Sequence, residues 1–219
     1  MVKTMGMVRK VGLSAAVAAA ALSGASVQAA NFDVTAEVQN TLEVGVVEPM
    51  NLGNLFVNQT DGTAGIGSLV LTPEGGIEEG ETDQVITSLG GQSAARASVA
   101  TDQNFKIVVP TATFDGSSWA AADDVTSITD VVEVRFGGAG GDPNVARLYL
   151  ANFTVGDIDG GSEINGPAAA GATVEVDPDF GVTEVTFGIG AEIFTDDSGT
   201  RTQYETGTYE GSFEVTAEF

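Results

Sequence analysis

The sequence predicts an all-β protein, a sandwich of about ten short antiparallel strands. Three observations carry that expectation. Glycine is abundant at 29 residues, threonine and valine are frequent, and runs suited to helices are scarce. Apolar and polar residues alternate with the period of two that a half-buried strand requires. Turn-forming Gly, Asn, Asp and Pro separate the alternating runs.

The chain opens on Lys3, Arg9 and Lys10, then an apolar run from Val11 to Leu22 and the small-residue end Val27-Gln28-Ala29. This is the pattern of a secretory signal peptide cut after Ala29. The run is shorter than the roughly 20 residues of a membrane-spanning helix, and no later stretch is long and apolar enough. The expectation is a cleaved signal over 1–29 and one exported β domain over 30–219, with no transmembrane helix.

Strand signals then follow in order. Phe32, Val34, Ala36 and Val38 share one parity, with Asp33, Thr35 and Glu37 on the other; Leu42, Val44 and Val46 resume the even parity. That reads as one long strand or two collinear ones with a single apolar face. Leu52–Val57 and Ser68–Leu71 flank the turn-like Gln59-Thr60-Asp61-Gly62, and Ala97–Ala100 and Phe105–Val109 flank Asp102-Gln103-Asn104. Val131–Phe136 precedes the glycine cluster Gly137–Gly141. Arg147–Val155 changes parity near Ala151, which predicts a β-bulge or a strand that switches sheets. Thr173–Val176, Glu184–Ile189 and Phe213–Phe219 complete the set. Glu74–Asp83 and Gly156–Gly166 read as acidic, glycine-rich loops, and Trp119–Asp124 as one helical turn.

Composition narrows the function classes. Without the three cations of the signal, five basic residues face 31 acidic ones, a formal charge of −26. Such a surface repels nucleic acid and anionic lipid and suits solubility in salty water, where screening makes many carboxylates tolerable. Cysteine and histidine are both absent. Stability must come from core burial rather than disulfides, and thiol nucleophiles, imidazole bases and the common zinc and copper ligands are missing. Carboxylate or serine–lysine chemistry would remain, with Lys106 the only lysine beyond the signal.

"VTAEVQNTLEVGVVEPMNLGNLFV" (Val34–Val57), with its Leu52-Gly53 pair, resembles the opening of the domain of unknown function 4402 family of secreted bacterial proteins. "AARASVATDQNFKIVVP" (Ala94–Pro110) is similar to that family's small-residue strand, polar turn and apolar strand closed by proline. "GTYEGSFEVTAEF" (Gly207–Phe219) is similar to its closing Gly-x-Tyr-x-Gly-x-Phe segment, the most specific of the three. The acidic inserts around Glu78 and Asp157, and the section Asp123–Ala146, depart from the family pattern. The resemblance implies an immunoglobulin-like, pilin-like β-sandwich without enzyme activity. It also implies an extracellular or cell-surface location, reached through the periplasm of a Gram-negative bacterium.

The two similar ends, "NFDVTAEV" (Asn31–Val38) and "SFEVTAEF" (Ser212–Phe219), supply the candidate interaction residues. They can be the first and last strands of a self-sufficient sandwich with solvated acids. They can also serve strand exchange, in which Phe32, Val34, Ala36 and Val38 of one copy enter an apolar groove of the next. Phe213, Val215, Ala217 and Phe219 would then form the receiving edge, and the partners would be further copies of the chain and a periplasmic chaperone. If the two strands pair antiparallel, like charges directly across the ladder are avoided by placing Asp33 opposite Thr216 rather than Glu218. The expected role is a non-enzymatic surface or extracellular structural protein, a fimbrial-type subunit. The alternative is a monomeric adhesin or ligand-binding module.

Other motifs have competing turn or packing explanations. Asp157, Asp159 and Glu163 in "GDIDGG" and beyond are calcium-ligand candidates, because calcium takes six to eight oxygens; turn chemistry explains the same residues. No other cofactor is expected. "DPDFG" (Asp177–Gly181) and "TDDSG" (Thr195–Gly199) are similar partial signals. Adjacent carboxylates such as Asp123/Asp124 and Glu78/Glu79 do not select a glycosidase site, since neighbours on a strand face opposite sides. The aromatic C-terminal strand also resembles the closing strand of outer-membrane β-barrels, but three Tyr and one Trp are few for two aromatic girdles. Tyr209 is expected to close a corner between sheets and Trp119 to cap the core.

Overall fold

A computed structural model describes residues 41–58, 66–80, 86–114, 131–164, 169–196 and 201–219. The chain is all-β there, with fifteen strands, one 3-10 turn (Gly138–Gly140) and no α-helix among the described residues. In chain order the strands are β1 (Thr41–Leu42), β2 (Val44–Glu48), β3 (Leu55–Val57), β4 (Ser68–Leu71) and β5 (Ile77–Glu79). They continue with β6 (Ile86–Ser88), β7 (Ala95–Val99), β8 (Phe105–Val108), β9 (Val132–Phe136) and β10 (Leu148–Asp159). The last five are β11 (Gly161–Glu163), β12 (Val174–Pro178), β13 (Val185–Thr195), β14 (Tyr209–Glu210) and β15 (Thr216–Glu218).

Five strands form one sheet in the order β1-β15-β8-β12-β11. Eight form a second, in which β14, β9, β10 and β13 lie side by side. The long β13 is shared end to end by β7, beside Val185–Ile189, and β4, beside Ala191–Phe194. β2 lies outside β7 and β5 outside β4, while β3 and β6 make a small third ladder. The sheets are antiparallel and curl into a half-barrel. Phe105, Ile107, Val176 and Ala217 of the smaller sheet meet Val99, Phe153, Phe187 and Ile189 of the larger in one core. Along β7, Ala95, Ala97 and Val99 are buried while Arg96 and Ser98 are not, the period of two in its plain form.

β10 is the exception to strict alternation. Tyr149 and Ala151 are as buried as Leu148 and Leu150, because Ile66, Ala112 and Phe194 form a second apolar cluster on its other face. The bulge expected near Ala151 is present as a register shift between Ala151 and Thr154, with Asn152 at φ 50°. The Asn152 amide group answers the backbone of Phe114 twice: Phe114 N–H donates to Oδ1 at 2.7 Å, and Nδ2 donates to the Phe114 carbonyl at 2.6 Å. A local backbone irregularity is thereby turned into an anchor for residues 111–114.

Three expectations need correction. The acidic segments at Glu74–Asp83 and Gly156–Gly166 are not loops throughout: the first holds β5, and the second holds the end of β10 and β11. One apolar residue in each, Ile77 and Ile158, packs on the core, and ladder partners satisfy the backbone, so the acids simply face water. The run through Leu42, Val44 and Val46 is not one collinear strand: it breaks at Glu43, with β1 in the small sheet and β2 in the large one. The closing strand is ladder-paired only over Thr216–Glu218. Trp119–Asp124 and the signal segment lie outside the described residues.

Candidate functional site

Both ends of the described chain meet, then separate. Leu42 pairs with Ala217, and Thr41 with Glu218. From that pair β2 runs to the β7 edge of the large sheet, while Tyr209–Glu210 of β14 occupy the β9 edge. The two segments form a fork. Five inter-strand spacings separate β14 from β2 in the sheet order, roughly 24 Å measured along the curled sheet at about 4.8 Å per spacing. The inner face of β9, β10, β13 and β7 is the floor between the prongs.

The result is a groove of about 1080 Å³, with Val132, Val134, Leu148, Leu150 and Ile189 on its floor. One prong, residues 44–57, is held to the body by paired backbone bonds. Asn51 and Ser93 exchange N–H···O bonds of 2.9 and 2.8 Å, and Asn54 exchanges bonds with Gly90 and Leu89. Gly53 turns this prong at φ 73°, accepting no Cβ because Gln92 N and Gly90 O would lie 2.7 Å from it. That is the physical content of the Leu52-Gly53 pair.

The other prong, residues 204–215, is pinned by a buried polar network. The Asp196 carboxylate, 2% exposed, accepts from Arg201 Nη1 at 2.8 Å and from the Arg147 amide at 3.1 Å. Arg201 Nη1 also donates to Tyr149 Oη at 2.9 Å. Tyr204 Oη receives the Asp196 amide at 2.7 Å, and its own hydroxyl donates to the Arg147 carbonyl at 2.6 Å. Burial pushes the Tyr204 phenol well above its ordinary value of 10.0, so the hydroxyl keeps the proton it donates. Tyr209 continues the wall, edge-on to Phe136 at 5.5 Å and accepting the Glu205 amide at 3.0 Å. Its phenol is also raised by burial. It sits in the ladder next to β9, at the corner where the chain leaves the large sheet for β15.

Part of the rim is apolar and exposed. Val46, Phe56 and Leu89 are 79, 56 and 68% exposed, and all three line the groove. Among the described residues β2 pairs only with β7, and a bulge between Val46 and Glu48 inserts Val47 as an extra residue. The charged groups on the lining are Glu48, Glu205, Glu210 and Arg96, and Arg96 is already ion-paired with Asp157. A groove whose rim mixes exposed apolar side chains with carboxylates can bind an apolar or extended ligand. It presents no nucleophile–base pair among the described lining residues.

Phe213 and Val215 line the groove, with the Phe213 ring 5.0 Å from Phe153. Ala217 is buried in the core and Phe219 is half exposed. The expectation that this strand is the open receiving edge is corrected: Ala217 pairs with Ile107 on one side and Leu42 on the other. Phe32, Val34, Ala36, Val38 and Asp33 lie outside the described residues, and so does the register expected for them. Asp157 pairs with Arg96, Asp159 faces Thr186 and Glu163 faces Val176. No group of three acidic side chains placed to hold a metal occurs among the described residues.

Each of the five cations beyond residue 10 is in an ion pair: Arg96 with Asp157, Lys106 with Glu175, Arg135 and Arg147 with Glu133, and Arg201 with Asp196. The remaining carboxylates repel one another. Thermal stability is therefore expected to rise with NaCl, by about 2–4 °C for each kcal/mol of repulsion that salt screens. A melting temperature that falls with salt would mean the five pairs outweigh the repulsion. No described helix is long and apolar enough to cross a membrane. No family model, no curated protein and no solved structure matches the chain.

Proposed function

We propose that this protein is an exported, non-enzymatic structural subunit of a cell surface or extracellular assembly, joined to its neighbours by addition of an N-terminal strand. The exposed apolar side chains Val46, Phe56 and Leu89 on the rim of the groove carry this reading. They stand in water beside β2, which among the described residues pairs only with β7, and an added strand would cover them. The alternating Phe32-x-Val34-x-Ala36-x-Val38 segment has the single apolar face that such an addition uses. The resemblance of Gly207–Phe219 and Val34–Val57 to the domain of unknown function 4402 family supports the same surface role and an immunoglobulin-like, pilin-like version of the fold. Apolar-in, polar-out alternation along β7 and β8 favours a water-exposed sandwich over a barrel with an apolar outer band.

Deleting Asn31–Val38 tests the reading. Oligomers formed by the protein after removal of residues 1–29 are expected to disappear, leaving a folded monomer by size exclusion and circular dichroism. A truncated chain that unfolds would make the segment part of the core instead. The groove also has the volume of a small-molecule pocket, since such sites run to about 1,000 Å³. Unchanged assembly after the deletion, together with saturable uptake of an apolar dye, would favour the ligand-binding alternative.

A further inference from the structure

We propose that the outer edge of β2 is a docking site for a strand-forming segment of a different protein, one that alternates apolar and basic residues. This goes beyond the assembly reading, in which a strand of a second copy covers the same rim. Partners directly across a ladder point to one face of the sheet, and Val44 and Val46 of β2 pair with Val99 and Ala97 of β7. Val99 and Ala97 are buried in the core, whereas Val46 is 79% exposed. The core-facing side of the large sheet is thus open at its outermost strand. Phe56 on the same rim is exposed as well. Among the described residues the backbone of β2 has no ladder partner beyond β7, and such an edge is a template for one more strand.

Charge selects the occupant. A bulge and a charged side chain guard edge strands against indiscriminate pairing, and β2 has both in the irregularity between Val46 and Glu48 and in the exposed Glu48 itself. Glu48 pairs across the ladder with Arg96, whose neighbours Ala95 and Ala97 face the core. Glu48 therefore lies on the opposite side of the sheet from Val46, and Arg96 is already ion-paired with Asp157. An incoming strand with apolar residues on one face and cations on the other meets both, its apolar face beside Val46 and its cations beside Glu48. An acidic strand is repelled there. A second copy brings no spare cation, because each of the five beyond residue 10 is already in an ion pair.

The probes are labelled ten-residue peptides, read by fluorescence anisotropy against the processed chain at low ionic strength, where acidic copies repel one another. An alternating Val-Lys peptide is expected to bind about tenfold tighter, or more, than a Gly-Lys peptide of equal charge, and a Val-Glu peptide is expected not to bind. Val46→Thr combined with Phe56→Ser is expected to erase that margin, and Glu48→Gln to weaken the Val-Lys peptide. Phe180→Ser, at the fully exposed tip between β12 and β13, should leave it unchanged. Equal affinities for the Val-Lys and Gly-Lys peptides would reduce the effect to net charge and overturn the proposal. So would an equal loss from Phe180→Ser and from the Val46→Thr, Phe56→Ser pair. A chain that assembles through residues 31–38 yet does not take the Val-Lys peptide overturns this proposal alone. Peptide binding at the rim by a chain that never oligomerises supports it and overturns the assembly reading alone.

Discussion

Asp196→Ala is expected to destabilise the protein by about 3–5 kcal/mol, because it removes a buried carboxylate that accepts from Arg201 and from the Arg147 amide. Arg201 is 11% exposed on its side chain, and Asp196 also receives the Arg147 amide. Removing the carboxylate strips one buried cation and one buried N–H at once. The measurement is the denaturant midpoint at unchanged m-value. A double variant, Asp196→Leu with Arg201→Met, removes both charges and is expected to recover much of the loss, since buried pairs replaced whole by apolar residues often cost little. If Asp196→Ala unfolds no earlier than wild type, the network is not what fixes residues 201–211. The effect extends to the groove: Tyr204 begins the second prong and receives its hydrogen bond from the Asp196 amide. A loosened network is therefore expected to lower strand docking along with stability.

Much of the fold was legible because most core strands alternate cleanly. Ser68–Leu71 and Val131–Phe136 lie within a residue of β4 and β9. The acidic segments were not legible as strands, since only Ile77 and Ile158 face the core there, and a single apolar residue gives no period. The groove was harder still. Its prongs are remote in sequence and become neighbours only through the sheet order, a long-range property that local patterns do not encode. One local signal did exist. Val46-Val47 breaks the alternation, and the structure explains it as a bulge on an edge strand with apolar groups on both faces. At the other end, Phe213, Val215 and Ala217 do share an inward face, as their spacing implies. What spacing could not reveal is that β1 already occupies the ladder beside Ala217.

A second local signal lies in "FGIGAEIF" (Phe187–Phe194), where Phe187, Ile189, Ala191 and Ile193 take one parity and Gly188 and Gly190 the other. A strand that keeps its core face apolar but empties its other face leaves room for something to cross it. That is what occurs. The turn after β4 lies over β13, so a Cβ at Gly188 would overlap the Pro73 carbonyl and one at Gly190 the Leu71 carbonyl. Beside them Gly156, the ladder partner of Gly188, receives the Pro73 ring. The ion pair from Arg96 on β7 to Asp157 on β10 spans the same place, since Gly188 pairs with Arg96. Gly188→Val is therefore expected to cost about 3 kcal/mol or more, the upper range for overpacking, because the obstacle is backbone and cannot rotate away. Gly140→Ala, where a Cβ meets nothing within 4 Å, is the control and should stay within about 0.5 kcal/mol of wild type. If Gly188→Val is as stable as the control, the Thr72–Gly76 turn is not seated on β13. If it is destabilised as expected, β4 and β5 depend on two hydrogen atoms on the far face of the central strand.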